Sequence, residues 1–240
     1  EGVTLSGAVT QQNIFGSGKH VSVQVNSSRI NTVYALSYTD PYFTVDGISQ
    51  GFDIYTREVD AFEGGLGRYV SKSTGAGIRF GIPVTERDTI NYGLAYEETK
   101  VTTFADSPLF YLDYVATFGR QTDAILATAG WVRDGRDSLI YPTKGVMQRA
   151  TGEITVPGGS LKYYKATYQY QRYFPLTRHY TLMLNGELGY GEGLDNRPLP
   201  FFKNFFAGGV NSVRGYRSST IGPKDQNGNP RGGSHRIVGN

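Results

Sequence analysis

The chain has 240 residues, a net charge of +3 and no cysteine, with 38% hydrophobic and 19% charged residues. Average soluble domains carry about a quarter charged and nearly half apolar residues, so a soluble protein would normally be more charged and more apolar. The basic residues form no runs, which gives no support for a nucleic-acid partner, and the lack of cysteine excludes disulfides and thiol chemistry.

Alternation of apolar and polar residues is the dominant pattern along the chain. Val21, Val23 and Val25 alternate with polar residues, and the same pattern recurs in later segments. A period of two is typical of a strand with one apolar face, and several segments reach the roughly 9–11 residues that a tilted strand needs to cross a bilayer. No stretch approaches about 18 consecutive apolar residues, which excludes a transmembrane helix. The alternation predicts ten strands, at about residues 2–12, 19–28, 30–39, 47–58, 72–82, 88–99, 123–133, 145–157, 161–174 and 179–190.

The connections between these strands differ in length. Short turns are expected at 12–18, 40–47, 83–88, 134–145 and 175–178, and they alternate with connections at 58–71, 100–122, 157–160 and 191–236. Short turns on one side and long loops on the other are typical of an outer-membrane β-barrel. Two connections, 157–160 and 28–30, are exceptions, because they are short yet fall on the long-loop side. The apolar residues within 109–115 fit either a short amphipathic helix over the barrel mouth or an aromatic loop packed on its neighbours.

The longest connection, residues 191–236, is the most informative segment. A loop of this length is usually functional or disordered, and its phenylalanines argue against disorder because they cannot all face water. The Gly208–Gly209 pair allows the chain to fold back tightly. One interpretation of Arg214 is a chance basic residue in a loop that faces solvent, and composition alone does not exclude it. If the loop instead enters the barrel lumen, Arg214 becomes desolvated and needs carboxylate partners. By the alternation, the acidic residues on the lumen side include Asp53, Glu97, Glu153 and Glu187, and the sequence singles out none of them.

Candidate catalytic and metal sites are sparse in the sequence. The three histidines, His20, His179 and His235, are widely separated, whereas metal sites need clustered ligands. Serine-hydrolase, zinc-protease and phosphate-loop motifs are absent. The sequence therefore predicts no catalytic residue, no metal site and no cofactor.

Several motifs together resemble one known family. Phe205-Phe-Ala-Gly-Gly209, Ser212-Val-Arg-Gly-Tyr216 and Thr220-Ile-Gly-Pro-Lys224 occur in the order found in the sixth extracellular loop of BamA-type outer-membrane assembly factors. Further matches, spread over the rest of the chain, are Val9–Asn13 with Gly16–Gly18, Thr39–Phe43 with Asp46-Gly47, Gly81–Pro83 and Tyr141–Gly145.

The resemblance implies an all-β transmembrane antiparallel barrel of sixteen strands, preceded by soluble periplasmic repeats. Residues 1–240 are then a partial barrel domain, with about ten strands within 2–190, a long loop at 191–236 and the start of the next strand at 237–240. No signal peptide is evident, which indicates a mature protein or an excised piece. The extracellular loop is expected to fold inward as a strut, and the acidic partners of its arginine are expected beyond residue 240. Its anchor motif is Val213, Arg214, Gly215 and Tyr216, and its packing residues are Phe205, Phe206, Gly208 and Gly209.

The resemblance also implies a function, which is non-enzymatic. Such a protein assists the folding and insertion of β-barrel proteins into the bacterial outer membrane, by strand templating at a lateral seam and local membrane perturbation. The implied partners are unfolded outer-membrane proteins as substrates, outer-membrane lipid and accessory assembly lipoproteins. One alternative is a polypeptide-secretion pore of the two-partner type, which shares an arginine-glycine loop motif. A membrane-embedded phospholipase is a weaker rival, since no convergent Ser/His pair is present.

Overall fold

A single antiparallel sheet of eleven strands dominates the computed structural model, which describes residues 4–65, 67–210, 212–226 and 228–240. One α-helix, α1, lies between the sixth and seventh strands, at Leu109–Phe118. The strands are β1 (Leu5–Gln11), β2 (His20–Ser27), β3 (Asn31–Asp40), β4 (Ser49–Asp60), β5 (Tyr69–Pro83), β6 (Asp88–Thr103), β7 (Gln121–Asp134), β8 (Gly145–Val156), β9 (Tyr163–Pro175), β10 (Thr181–Gly193) and β11 (His235–Gly239).

The sheet is a simple meander, in which each strand pairs with its neighbours in the sequence. All ten predicted strands are present, so the all-β, antiparallel prediction is confirmed. The eleventh begins at His235, two residues before the predicted start at 237. Within the described residues, β1 and β11 form the two edges of the sheet. The predicted start of the first strand at residues 2–3 lies outside the described residues, and the count of sixteen strands stays a prediction.

The two faces of the sheet differ in polarity, as the alternation predicts. One face, the outer face, carries large apolar side chains that are about half exposed, such as Ile54, Leu94 and Leu188. The opposite face, the inner face, carries polar side chains, including the predicted Asp53 and Glu97. Contiguous apolar surface of this extent is not stable in water, and a lipid bilayer is the environment that covers it.

The connections separate into a short-turn edge and a long-loop edge of the sheet. The short-turn edge holds residues 12–19, 41–48, 84–87, 135–144 and 176–180, and the long-loop edge holds 28–30, 61–68, 104–120, 157–162 and 194–234. On the long-loop edge, 28–30 and 157–162 are the two short exceptions that the sequence also places there. Of the two interpretations of residues 109–115, the helix is confirmed by α1. No helix in the described ranges has the length and apolar character needed to cross a membrane.

Buried apolar residues concentrate near the long-loop edge, where loop residues meet the inner ends of the strands. The first cluster joins β5, β6 and α1 to the long loop, and the second joins β7 and β9 to the same loop. The core of the first cluster is Ala61, Tyr69, Val101, Tyr111, Val115 and Phe201, and that of the second is Ala124, Leu126, Leu161 and Tyr163. The sheet thus has its core where the long loop docks.

Candidate functional site

The 194–234 loop is a folded segment with its own backbone pairing. Phe205 and Gly233 exchange two backbone hydrogen bonds, of 2.8 and 2.9 Å, and further bridges join Ala207 to Ile221 and Lys224 to Pro230. At Gly208 φ is +112°, and a Cβ atom there would lie 2.5 Å from a backbone oxygen of the returning chain. Only glycine fits this reversal without strain.

The loop is held against α1 by an aromatic cluster around Phe201. The ring of Phe201 is 2% exposed, and its centroid lies 4.2 Å from that of Tyr111 and 4.9 Å from that of Tyr69. Burial raises the pKa of Tyr111 to about 12. On the returning arm, the Arg231 guanidinium lies 4.0 Å from the ring centroid of Phe110, within cation–π range. Both arms of the loop therefore contact the helix.

An ion pair joins the loop to the sheet wall just after this cluster. Lys203 Nζ lies 2.9 Å from Glu97 Oε1, and the two side chains are 18% and 10% exposed. The second Glu97 oxygen accepts a hydrogen bond of 2.7 Å from the Tyr55 hydroxyl. The alternation predicts Glu97 on the inner face, and the structure shows that Lys203 of the loop neutralises its charge there.

The ring of Phe205 packs into a gap in the wall at Gly189. A Cβ atom at Gly189 would lie 2.9 Å from the Phe205 ring, so the missing side chain makes room for it. Phe205 is 8% exposed, and the Lys165 ammonium lies 4.2 Å from its ring centroid. Lys165 also donates a hydrogen bond of 2.7 Å to the Lys203 carbonyl. We call the segment from Phe201 to Phe205 the loop stem.

The predicted anchor motif lies away from the loop stem. Arg214, Gly215 and Tyr216 are exposed and Val213 is half-buried, with Tyr216 61% exposed. Among the described residues, no ion pair involves Arg214. The anchoring role of Val213 to Tyr216 therefore stays a prediction. Phe206, Gly208 and Gly209 are half-buried within the loop's own fold.

The four acidic residues predicted on the lumen side all have other partners. Asp53 pairs with Arg79 at 3.2 Å and accepts a hydrogen bond of 2.6 Å from Ser37. Glu153 accepts a hydrogen bond from the Tyr163 hydroxyl. Glu187 pairs with Arg236 at 2.9 Å, and Glu97 pairs with Lys203. These contacts place all four carboxylates on the inner face, and among the described residues none of the four forms an ion pair with Arg214.

Sequence reasoning missed Lys203 and Lys165. One signal was available for Lys203, since it is the only charged residue between Arg197 and Arg214 and lies among four phenylalanines. A cation that is buried among aromatic side chains needs an acidic partner, because an unpaired buried charge is strongly destabilising. Lys165 carries no comparable signal, because its contacts depend on where the loop crosses β9.

An antiparallel meander with an apolar outer face, a polar inner face and a loop docked on the inner side defines the wall of a transmembrane β-barrel. The model of the Omp85 superfamily domain matches residues 13–240, and the chain belongs to this superfamily. The resemblance to BamA-type assembly factors is confirmed by two curated relatives and one solved structure.

Two curated relatives carry the name outer membrane protein assembly factor BamA. The one from Neisseria meningitidis is 40% identical over 234 residues, which cover 93% of this chain and 29% of that protein. The one from Nitratidesulfovibrio vulgaris is 29% identical over 98% of this chain and 29% of that protein. The crystal structure of BamA from Haemophilus ducreyi lacking POTRA domains 1–3 superposes with a TM-score of 0.89 at 25% identity, covering 98% of this chain and half of that one. The chain thus spans under a third of these curated relatives.

Proposed function

We propose that the chain forms part of the barrel of an outer-membrane protein assembly factor in the bacterial outer membrane. The observation that carries this proposal is the 40% identity to the Neisseria meningitidis assembly factor along 93% of the chain. The names of the relatives favour assembly over the secretion alternative. The substrates are unfolded outer-membrane proteins, and the partners are outer-membrane lipid and accessory assembly lipoproteins.

The proposed mechanism is physical and needs neither an enzyme-type reaction nor a cofactor. The eleven strands belong to a barrel of sixteen, whose first and last strands meet at a weakly paired seam. Each unsatisfied backbone group in lipid costs several kcal/mol, so an open strand edge at this seam gains by pairing with an incoming strand. β-Augmentation of this kind templates the substrate one strand at a time. The seam also perturbs the adjacent lipid, which lowers the barrier to insertion.

The 194–234 loop acts in this proposal as an internal strut that keeps the barrel wall in shape. Its docking on the inner face through Phe201 and Phe205 supports this role. Arg214 anchors the far end of the loop on acidic residues of later strands, with Tyr216 and Phe206 as packing. The exposure of Arg214 and Tyr216 among the described residues is compatible with partners on such strands.

Depletion of the protein in its native bacterium tests this function. If the protein is an assembly factor, its depletion is expected to lower the amount of folded, heat-modifiable outer-membrane proteins, while their unfolded precursors accumulate. Unchanged levels of folded outer-membrane proteins would contradict the proposal. Loss of one secreted polypeptide with normal barrel levels, together with a large stable conductance in planar bilayers, would instead support the secretion pore. Lipid hydrolysis by the purified protein would revive the phospholipase alternative.

A further inference from the structure

The ion pair between Lys203 and Glu97 differs from the other ion pairs of the described residues. It is the only one in which both side chains are less than one fifth exposed, at 18% and 10%. Exposed ion pairs contribute little to stability, because water screens them and two long side chains must be ordered. A pair withdrawn from water is different, since removing one partner leaves an uncompensated charge.

Neighbouring groups satisfy both charges of this pair. Glu97 accepts hydrogen bonds from Lys203 and from the Tyr55 hydroxyl, with the Thr99 hydroxyl at 3.4 Å. The Lys203 ammonium lies 5.4 Å from the ring centroid of Tyr163, within cation–π range. Such extra contacts are what makes a buried ion pair tolerable.

The same contacts fix the position of the loop stem on the wall. Lys203 reaches Glu97 on β6, while Lys165 on β9 donates to the Lys203 carbonyl at 2.7 Å. The Phe205 ring then enters the gap at Gly189 on β10. The stem is therefore tied across three strands of the sheet, all within the described residues.

We propose that Lys203 is the positioning residue of the loop stem, which it holds on the inner face through Glu97 independently of Arg214. This inference rests on the proposed function only in assigning the strut role to the loop. The docking itself is a property of the structure, whatever the barrel does. Holding the loop stem requires a cation at position 203 and an anion at position 97. Uncharged side chains of similar volume would not hold it.

The test is hydrogen–deuterium exchange of the peptides around Phe205 and Gly233, measured on the full protein in lipid nanodiscs. Lys203→Met and Glu97→Gln keep most of the side-chain volume and remove one charge each. Both are expected to speed exchange at these peptides by at least about tenfold, because each leaves the remaining member of the pair as a buried charge without its counter-charge. The double charge swap, Lys203→Glu with Glu97→Lys, is expected to restore exchange to within about threefold of wild type.

Two matched variants separate the stem from other contacts. Lys162→Met breaks a pair with Asp195 that has the same kind of geometry, at 2.6 Å, but is more exposed, and it is expected to leave exchange at Phe205 and Gly233 unchanged. Arg214→Ala is also expected to leave it unchanged, because Arg214 lies outside the stem. Faster exchange in Arg214→Ala would overturn the independence of Lys203 from Arg214, and faster exchange in Lys162→Met would overturn the specific role of the buried pair.

Wild-type exchange in both Lys203→Met and Glu97→Gln would overturn the proposal, as would a charge swap that fails to restore exchange. If the single variants do not fold, heat-modifiability of the swap decides: a folded swap supports the pairing, and an unfolded swap overturns it. None of these readouts uses assembly activity. If depletion left the folded outer-membrane proteins unchanged, the assembly function would be rejected but the role of Lys203 would still stand. Conversely, wild-type exchange in the Lys203 and Glu97 variants would reject that role without bearing on the assembly function.

Discussion

Truncation of Phe201 to alanine is the sharpest structural perturbation that the loop offers. The Phe201 ring is 2% exposed and contacts the rings of Tyr69, Tyr111, Tyr114 and Phe202 at centroid distances of 4.9, 4.2, 5.5 and 5.4 Å. Deleting a fully buried phenylalanine leaves a cavity and typically costs about 3–5 kcal/mol. We expect a loss of this size in the free energy of unfolding, because rigid strands on one side and α1 on the other prevent the site from collapsing.

Equilibrium guanidinium unfolding in lipid vesicles measures this loss, with heat-modifiability as a check that the barrel has formed. The control is Phe15→Ala: Phe15 is fully exposed on the short-turn edge, so a change within about 0.5 kcal/mol is expected. A second readout is the pKa of Tyr111, which burial raises to about 12 and which should fall towards its ordinary value of 10.0 once Phe201 is gone. A loss below about 1 kcal/mol with an unchanged Tyr111 titration would refute the docked stem.

Three further predictions concern the rest of the chain. Gly189→Leu should displace the Phe205 ring and speed hydrogen–deuterium exchange at the loop stem. Gly186→Ala should leave this exchange unchanged, because a Cβ atom there meets nothing within 4 Å. Equal exchange in the two variants would contradict the packing of Phe205 at Gly189. Arg214→Ala should lower assembly activity and barrel stability with the fold retained, and wild-type activity and heat-modifiability would reject its anchor role. Hydrogen bonds from the Thr143 hydroxyl and the neighbouring backbone lower the pKa of Asp137 to about 2 from 3.8. Because the folded pKa is the lower one, the order of this turn should persist above about pH 4 and be lost as the pH falls towards 2. A midpoint near 3.8 for the Thr143 amide shift in an NMR titration would contradict these bonds.

The strands were predictable because their signal is local. Alternation over segments such as 88–99 fixes both the strand and the face on which Glu97 lies, since a shift of one residue would reverse every side chain. The turn and loop edges followed from the order of short and long connections. Helix α1 was ambiguous, because a run of aromatic residues suits a packed loop as well as a helix.

The contacts of the loop were not predictable from local patterns. Lys203 and Glu97 are 106 residues apart in sequence. They meet only because the chain runs through β7 to β10 before the loop stem returns to the inner face at β6. The motif in the sequence draws attention to Arg214, whereas in the structure Lys203 is the loop residue that forms an ion pair with Glu97 on the inner face. A motif marks where a residue type recurs in a family, whereas a contact depends on which strand faces the loop.

Assembly of a substrate by the purified full protein in lipid vesicles is the most direct test of its assignment as an assembly factor. An unfolded outer-membrane β-barrel protein is added, and the rate at which its heat-modifiable folded form appears is followed on gels. We expect this rate to exceed that in empty vesicles and in vesicles that hold an unrelated barrel of similar size. Equal rates in all three kinds of vesicle would contradict the assignment as an assembly factor.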